Sequence, residues 1–407
     1  MPALVGWILP SLAVALAAYF LALYDWEEAG GTPPLPPRPS PAQNAIWVIG
    51  DLHGDAVCAR HWVRRTGLVS ADGQGWTDPT SRIVFVGDYV DKGRQARETV
   101  IYVRDLTERF PDHVTALLGN HEMELLLDRD ARRWESWGGA GFHGLAYASA
   151  HPGDYVNYLG READRDDDLV VEALYNASIE VYGNGLHQQI YMASKARVGE
   201  RSILRYVPED LRPIVSERLD EYQRDYLDAF RSGTELGDWL ESRPIVAQLN
   251  DTIFVHGGLG SESSILLGMR GVEGVNGLFR EFSGDRTLKD FIEHSASGRA
   301  IYEMLTYRGN HRQPCPSLAE LLPAGASRLG VGHTPGDSVR IMCDGKFLAL
   351  DSSLGRWFRL SGNEYCPGDV ARLSSNGRYT CGKMGGDCEG QIVRLQHGSA
   401  EVIYPII

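Results

Sequence analysis

The sequence predicts an α/β fold in which several strands end beside one polar site. Five short apolar runs of strand length each pass directly into a cluster that combines Gly with Asp, Asn or His. Segments with helical periodicity follow the first two runs, at residues 56–67 and 94–110, and this strand–helix alternation is typical of βαβ units. The five apolar runs occupy residues 46–49, 83–86, 114–118, 253–255 and 329–331.

The polar clusters lie where these strands end. Ligands of open α/β sheets bind beyond the carboxyl ends of the strands, so we expect the clusters to converge. A single Asp or His in such a place is also typical of a strand or turn cap, but capping does not explain five clusters. The clusters read GDLHGD (50–55), GDYVDKG (87–93), GNHE (119–122), HGGL (256–259) and GHTP (332–335). They offer six oxygen and nitrogen donors, enough for two ions that share a carboxylate: Asp51, His53, Asp88, Asn120, His256 and His333.

These motifs, in this order, resemble those of the calcineurin-like metallophosphoesterases and, within them, the phosphoprotein phosphatases. GHTP and the turn at Asp351 are most similar to the Shewanella-like and diadenosine-tetraphosphatase-like branches. The resemblance implies a β-sandwich of two mixed sheets flanked by helices, formed by residues 44–407. The interval between Asn120 and His256 is longer than the family's usual one, which predicts a helical insertion at about residues 140–240.

The resemblance also implies a role for each candidate residue. Two divalent ions are expected, and manganese, iron or zinc would suit the donors. His121 would be the general acid, with Asp91 bonded to its far ring nitrogen and holding the tautomer. One ion would be held by Asp51, His53 and Asp88, and the other by Asp88, Asn120, His256 and His333.

Four residues are candidates for binding the substrate phosphate: Asn120, Lys92, Arg94 and Arg308. Lys92 stands where most phosphoprotein phosphatases carry Arg, and an ammonium acts as a point charge where a guanidinium would grip two phosphate oxygens. Arg94 lies two residues further on and would compensate. Arg308, in Tyr307-Arg308-Gly309, resembles the second phosphate-binding arginine of the family.

The leading interpretation is therefore a two-metal phosphatase that acts on phosphoproteins. A second is an enzyme that cleaves dinucleoside polyphosphates or other small phosphate esters, since Lys92 matches that branch. A third is a membrane-tethered binding protein with an inactive core, which the presence of all six ligands and His121 disfavours. The net charge of −14 and the lack of a basic run argue against nucleic acid as a partner.

The amino-terminal stretch predicts a membrane anchor within residues 1–25. Residues 3–24 carry no charge and are long enough to span a bilayer. A cleavable signal peptide and a buried helix are the alternatives, although no Lys or Arg precedes the apolar stretch, as it would in a signal peptide. Residues 26–43 contain six prolines and are predicted to form an extended linker to the catalytic domain.

The six cysteines form no CxxC pair, which argues against a structural zinc site. Cys366, Cys381 and Cys388 fall in one Gly-rich segment and are expected to pair with each other or with Cys315 or Cys343. Clustered cysteines beyond a membrane anchor predict a single-pass protein whose catalytic domain is lumenal or extracellular. Six reduced thiols in the cytosol are the alternative.

The insertion contains one clear helical pattern and one charge run. Apolar residues at three- and four-residue steps predict a helix that either packs against the core or forms part of a lid. They are Leu211, Val215, Leu219, Tyr222, Tyr226 and Phe230. The acidic run from Asp164 to Asp168 predicts a solvated loop.

Overall fold

The computed structural model describes residues 44–129, 150–182, 204, 206–284, 287–356, 371–373, 379–381 and 388–405. The predicted membrane anchor and linker, residues 1–43, lie outside the described residues. Within the described part, no helix combines the length and the apolar character needed to cross a bilayer.

The strands form two five-stranded mixed sheets and one small hairpin. The first sheet has the order β12-β11-β1-β2-β3, with β1, β2 and β3 parallel and β11 antiparallel to β1. Its strands are β1 (Ile46–Ile49), β2 (Arg82–Phe85), β3 (Val114–Ala116), β11 (Ile392–Gln396) and β12 (Ser399–Ile403). The second has the order β4-β5-β6-β8-β7, with β5, β6 and β8 parallel. Its strands are β4 (Val246–Leu249), β5 (Thr252–Val255), β6 (Arg328–Val331), β7 (Arg340–Met342) and β8 (Phe347–Ala349). The hairpin pairs β9 (Ala371–Leu373) with β10 (Tyr379–Cys381).

The two sheets pack face to face, as the alternation of side chains along β1 and β2 shows. Ile46, Val48 and Val84 belong to an apolar cluster that also contains Phe254 and Leu348 of the second sheet. The alternate residues of the same strands belong to the larger core beneath the helices. Both faces of the central strands are therefore buried, which explains why these strands are continuous apolar runs. The predicted pair of mixed sheets is confirmed.

Eleven α-helices lie within the described residues, and two 3₁₀ turns span Val156–Tyr158 and Gly309–Arg312. The predicted helices after β1 and β2 are confirmed. Asp55 caps the first by accepting a hydrogen bond from the Cys58 amide, and Gly67 ends it with a φ of 71°. The helices are α1 (Ala56–Thr66), α2 (Ala96–Arg109), α3 (Asn120–Asp128), α4 (Pro152–Tyr155), α5 (Arg165–Tyr182), α6 (Arg212–Ala229), α7 (Glu235–Glu241), α8 (Ser261–Ser283, kinked at Gly271), α9 (Leu288–His294), α10 (Ala296–Thr306) and α11 (Cys315–Leu321).

The described parts of the insertion are largely helical, and the periodic segment forms α6 as predicted. Its aromatic stripe is buried, and Tyr226 contacts the rings of Tyr155 and Tyr158 at 5.7 and 4.9 Å between centroids. The acidic run is exposed at Asp164, Asp166 and Asp168, as predicted, but it begins a helix instead of forming a loop. Asp164 caps α5 by accepting hydrogen bonds from the amides that follow it, and Asp167 is fully buried. Acidic residues at a helix start are favoured because they oppose the positive end of the helix dipole.

Two disulfides join described cysteines, and their pairing differs from the expected one. Cys388 bonds to Cys58 rather than to a cysteine near it in sequence, and Cys315 bonds to Cys343. The first pairing follows from the sheet. α1 continues directly from β1, and β11, which begins just after Cys388, pairs with β1. Cys366 lies outside the described residues.

Candidate metal centre

All five polar clusters follow the carboxyl ends of parallel strands, as predicted. Three follow β1, β2 and β3 of the first sheet, and two follow β5 and β6 of the second. The loops are tied together through backbone groups: the His53 amide donates to the Asp88 carbonyl at 2.9 Å, and the Gly332 amide donates to the His256 carbonyl at 2.8 Å. Between the two sheets, His256 Nδ1 lies 2.8 Å from the Val86 carbonyl, so the ligand-bearing loops of both sheets meet in one place.

Several candidate ligands hold backbone conformations that side-chain-bearing residues seldom adopt. His53, Asp88 and His333 have φ values of 42°, 57° and 64°. Such conformations cost about 1–3 kcal/mol each and persist where the surrounding structure enforces them, which is common at functional sites. Gly332 is required for a steric reason, because a Cβ there would lie 2.3 Å from Asp51 Oδ1.

Asp88 lies at the middle of the candidate centre. One carboxylate oxygen is 3.4 Å from His53 Nε2, and the other is 3.2 Å from His256 Nε2. His256 Nε2 also lies 3.0 Å from Asn120 Oδ1. Two groups of donor atoms, each within 4.8 Å of one another, share Asp88: one with His53 and His121, the other with His256 and His333. This is the arrangement expected of a carboxylate that bridges two ions.

The donors fit divalent cations in their chemistry and their electrostatics. Asp51 Oδ1 is buried and has no hydrogen-bond partner within the described part of the chain, while Oδ2 accepts from the His333 amide at 2.9 Å. Burial, Asp351 and Asp88 raise the pKa of Asp51 well above its ordinary value, and Lys92 offsets them only in part. Burial also holds the pKa values of His53 and His333 well below 6.5, which leaves neutral imidazoles able to bind metal.

The pKa values of Asp88 and His256 shift in the opposite directions, down for the carboxyl and up for the imidazole. Burial would raise the pKa of Asp88, but the adjacent His256 and His121 outweigh it and hold that pKa well below its ordinary value. In return, Asp88 outweighs the burial of His256 and raises the pKa of its imidazole. The bridging position therefore carries a fixed negative charge.

His121 and Asp91 form the predicted pair. His121 Nδ1 lies 2.5 Å from Asp91 Oδ2, and Nε2 lies 3.8 Å from Asp88 Oδ2. The Asp91 carboxylate is fully buried, whereas the His121 side chain is 15% exposed. The imidazole is therefore held from behind, with its second nitrogen directed to the edge of the candidate centre.

The candidate phosphate-binding residues lie in three different environments. Lys92 Nζ is 2.8 Å from His53 Nε2, and Arg308 donates from Nη1 to the His333 carbonyl at 2.6 Å. Both therefore border the centre. Arg94 instead runs along α4, where its Nε lies 3.0 Å from the position of a Cβ on Gly153. Its role in phosphate binding stays a prediction.

Glu122 is a site residue to which sequence reasoning gave no role. Its buried carboxylate accepts hydrogen bonds from the amides of Asp88, Tyr89, Val90 and Gly119, at 2.7 to 3.0 Å. These contacts fix the loop that carries the bridging carboxylate. Burial, aided by Asp88, raises the pKa of Glu122 to about 7. The only sequence signal was its place in GNHE, because backbone partners leave no mark on the sequence.

The turn after β8 also contacts the candidate centre, although sequence reasoning assigned its residues no role there. Asp351 is buried beside Asp51, and burial raises its pKa. Further along, the Arg356 guanidinium makes two hydrogen bonds with Asp55, at 2.8 and 3.0 Å. Residues 351–356 thus hold the first metal loop at both of its ends.

Comparisons with known proteins agree with this geometry. The calcineurin-like phosphoesterase family matches residues 45–203. Shewanella-like protein phosphatase 2 of Arabidopsis thaliana is 24% identical over 320 residues, which cover 76% of this chain and 71% of that protein. The Serine/threonine-protein phosphatase 6 catalytic subunit of Caenorhabditis elegans is 34% identical over 82 residues, which cover 20% of this chain and 22% of that one, so the match spans about a fifth of that relative.

Solved structures give the same fold. A cold-active protein-tyrosine phosphatase of a psychrophilic Shewanella species aligns with a TM-score of 0.50 and 16% identity, covering 91% of this chain and 83% of that chain. A second structure of a cold-active protein tyrosine phosphatase aligns with a TM-score of 0.50 and 19% identity, over 90% of this chain and 81% of that chain. At such low identity, the likeness establishes the architecture alone.

Proposed function

We propose that this chain, which carries a calcineurin-like metallophosphoesterase domain, hydrolyses phosphate monoesters on phosphorylated proteins with the help of two divalent metal ions. The observation that carries the proposal is the position of Asp88, which is shared by two groups of donors, all of them buried except His121 at the edge. A carboxylate in that position is suited to bridge two ions, and manganese, iron or zinc would match the mixed imidazole and oxygen donors.

The metal ligands divide between the two sheets. When bound, two ions so placed would lower the pKa of a water and stabilise charge on the transferring phosphoryl group. The chain's own part is to fix the donors, through the strained loops and the hydrogen bonds of Glu122. One ion would be held by Asp51, His53 and Asp88, and the other by Asp88, Asn120, His256 and His333.

His121 would deliver the proton to the leaving oxygen. Its Nδ1 faces Asp91 at 2.5 Å, so Nδ1–H donates to the carboxylate and the mobile proton is carried on Nε2. That nitrogen points toward the edge of the centre, where a leaving alkoxide would form. Asp91 acts as the positioning residue, since its carboxylate holds the ring but does not face the substrate.

The phosphate would be oriented by Asn120, Arg308 and Lys92. Asn120 lies at the first position of α3, and Arg308 is exposed at the rim of the centre beside His333. Lys92 brings an ammonium next to His53, where it attracts phosphate without fixing its orientation as an arginine would.

The decisive test measures the metal content and turnover of the purified protein, beside the Asp88→Asn variant. We expect two ions per chain and hydrolysis of a generic aryl phosphate in the original chain. Asp88→Asn should retain at most one ion and lose turnover. The exposed Asp112, at the opposite end of β3, gives the matched control Asp112→Asn. If Asp88→Asn kept both ions and full activity, the proposal would be wrong.

Lys92 favours a second candidate function, the cleavage of dinucleoside polyphosphates or other small phosphate esters. The two functions are separated by comparing a phosphopeptide with a dinucleoside tetraphosphate at equal concentration. The third interpretation, an inactive binding protein, requires that the metal-loaded chain turn over neither substrate nor the aryl phosphate.

We also propose that the chain is anchored in a membrane by residues 3–24, with the catalytic domain on the lumenal or extracellular side. The support is the uncharged amino-terminal stretch and the two disulfides, which persist in oxidising compartments. Protease treatment of intact vesicles that carry the full chain tests the orientation, because a lumenal domain would be protected until detergent is added.

A further inference from the structure

A groove beside the candidate centre has no role in the chemistry described so far. It has a volume of about 470 Å³ and follows α10 on the side that faces solvent. Its lining includes Ile292, Arg299, Tyr302, Glu303, Thr306, Tyr307 and Arg308. We call it the α10 groove.

The groove begins at the candidate centre and leads away from it. At one end, Arg308 bonds to the carbonyl of the candidate ligand His333. The end of α10 also contacts the loop of His256, because the amide of Gly257 donates to the Met304 carbonyl at 2.8 Å. Arg299, Tyr302 and Thr306 then follow at helical spacing on one face, so Arg299 marks the far end.

The charge at the far end is not neutralised. Arg299 is exposed, and its guanidinium makes no hydrogen bond or ion pair within the described part of the chain. Glu303 lies on the same helix face, but its carboxylate accepts a hydrogen bond from the Ser263 amide at 2.8 Å, at the start of α8. The positive end of that helix therefore compensates its charge. In a chain of net charge −14, an arginine left without an acid at a groove is suited to receive one from outside.

We propose that the α10 groove binds an acidic side chain of a phosphopeptide, with the carboxylate at Arg299 while the phosphate lies beside Arg308. The assignment rests on the proposed phosphatase function and names its substrate. Seven residues separate Arg299 from Thr306, which corresponds to about 10 Å along the helix. An extended peptide advances about 3.3 Å per residue, so the acidic residue lies about three positions from the phosphorylated one.

A peptide fits this groove better than a polyphosphate. The two arginines stand at the ends. Between them lie the uncharged Tyr302, Thr306 and Tyr307, together with Glu303, whose carboxylate accepts a hydrogen bond from the Ser263 amide and supplies no cation. A polyphosphate bears charge along its whole length and would leave its middle phosphates without a cation. A peptide backbone and an apolar side chain, by contrast, pack well on tyrosine rings and on Ile292.

The test uses the metal-loaded full chain and phosphopeptides that differ at one position. Glu is compared with Gln at three residues before and three residues after the phosphorylated residue. At one of the two positions, we expect the Glu peptide to have a kcat/KM about 3- to 5-fold above that of the matching Gln peptide. This ratio corresponds to the interaction free energy of one exposed charge pair. Arg299→Gln should abolish this ratio without changing kcat on an aryl phosphate. Arg299→Glu should reverse it in favour of a Lys peptide.

Arg82→Gln is the matched control. Arg82 is exposed, has no side-chain partner within the described residues, and begins β2 at the end opposite the candidate centre. The inference is overturned if the chain hydrolyses aryl phosphate but does not distinguish Glu from Gln, or if Arg82→Gln has the same effect. It is also overturned if Arg299→Gln impairs only a dinucleoside tetraphosphate. Absence of all turnover would instead refute the proposed phosphatase function.

Discussion

Two buried acidic clusters in this protein are neutralised in different ways. In the insertion, Asp167 is paired with Arg161 through two hydrogen bonds, at 2.7 and 2.9 Å, and accepts a third from the Tyr222 hydroxyl at 2.8 Å. Arg218 adds a second cation between Asp167 and Glu221. Although burial opposes it, the bonds from Arg161 lower the pKa of Asp167. We call this set of five residues the Asp167 cluster.

The candidate metal centre lacks such internal compensation. Burial and mutual repulsion raise the pKa values of Asp51 and Asp351, and Lys92 offsets them only in part. Loops with unfavourable backbone conformations hold these groups together nonetheless. The comparison suggests that an acidic cluster completed by the chain's own arginines supports the fold, whereas one left incomplete is built to receive cations. Each prediction below tests that distinction.

The largest effect is expected at His121, which serves chemistry without neutralising the centre. His121→Gln should lower kcat on a phosphoserine peptide by about 10²- to 10⁴-fold, the usual contribution of a general acid. The loss should be smaller on a nitrophenyl phosphate, whose leaving group needs less help from a proton. The exposed His294 supplies the control His294→Gln. Equal losses on both substrates would contradict the assigned role.

Asp51→Asn should change metal binding and stability in opposite directions. We expect the affinity for at least one ion to fall by about 100-fold, as a ligand should matter no less than the residues that orient ligands. The melting temperature of the chelator-treated protein should stay the same or rise. The substitution removes a charge that burial disfavours, and the amide oxygen can still accept from His333. A fall in that melting temperature would contradict the claim that the candidate centre lacks internal charge compensation.

Asp167→Asn should do the reverse, with a loss of stability and no loss of activity. Removing one member of a buried ion pair leaves the other charge uncompensated, which costs about 3–5 kcal/mol when both are fully buried. Because the Arg161 side chain is 31% exposed, we expect about 2–3 kcal/mol by urea unfolding. Asp164→Asn, whose side chain is 49% exposed, is the matched control with a smaller effect. A drop in kcat would link the insertion to catalysis.

The sequence predicted the strands, the place of the candidate donors at the strand ends, and the aromatic helix, because each has a local pattern. The apolar runs of β1 and β2 are buried on both faces, and the spacing from Val215 to Phe230 matches one helix face. The candidate donors were recognisable because each polar cluster immediately follows its strand. These are features that a few adjacent residues determine.

The features that sequence reasoning missed depend on contacts between distant segments. Cys58 and Cys388 are separated by 330 positions, and only the pairing of β11 with β1 brings them together. Glu122 acts on backbone amides, which any sequence possesses. At Asp164, a run of acids predicted a loop, although the same residues also suit a helix start.

A third buried acid is accommodated in yet another way, by retaining its proton. Asp154 lies in the insertion beside the buried His151, and burial raises its pKa to about 7 while burial and Arg94 lower that of His151 to about 3. Near pH 5 both are therefore uncharged in the folded chain. The unfolded chain would instead carry an ionised Asp154 and a protonated His151.

These two shifts predict opposite dependences of stability on pH. Between about pH 4.5 and 6 the unfolded chain has lost the Asp154 proton that the folded chain keeps, so this residue makes stability fall as pH rises. His151 makes stability rise, because the unfolded chain binds a proton there. Relative to the original chain, Asp154→Asn should therefore become more stable with rising pH, and His151→Gln less stable, each by up to about 1.4 kcal/mol per pH unit.

Urea unfolding at about pH 4.5, 5.2 and 6.0 gives the free energy of unfolding of each protein as a function of pH. The slope of each single variant is then compared with that of the original chain. The double variant should show a slope close to that of the original chain, since the two proton exchanges cancel. Parallel slopes in all four proteins would mean that Asp154 is ionised in the fold, and that a cation near it compensates its charge as Arg161 compensates Asp167. Asp154 would then resemble the Asp167 cluster, in which nearby cations compensate the buried negative charge. Protonation would no longer count as a third way of accommodating a buried acid in this protein.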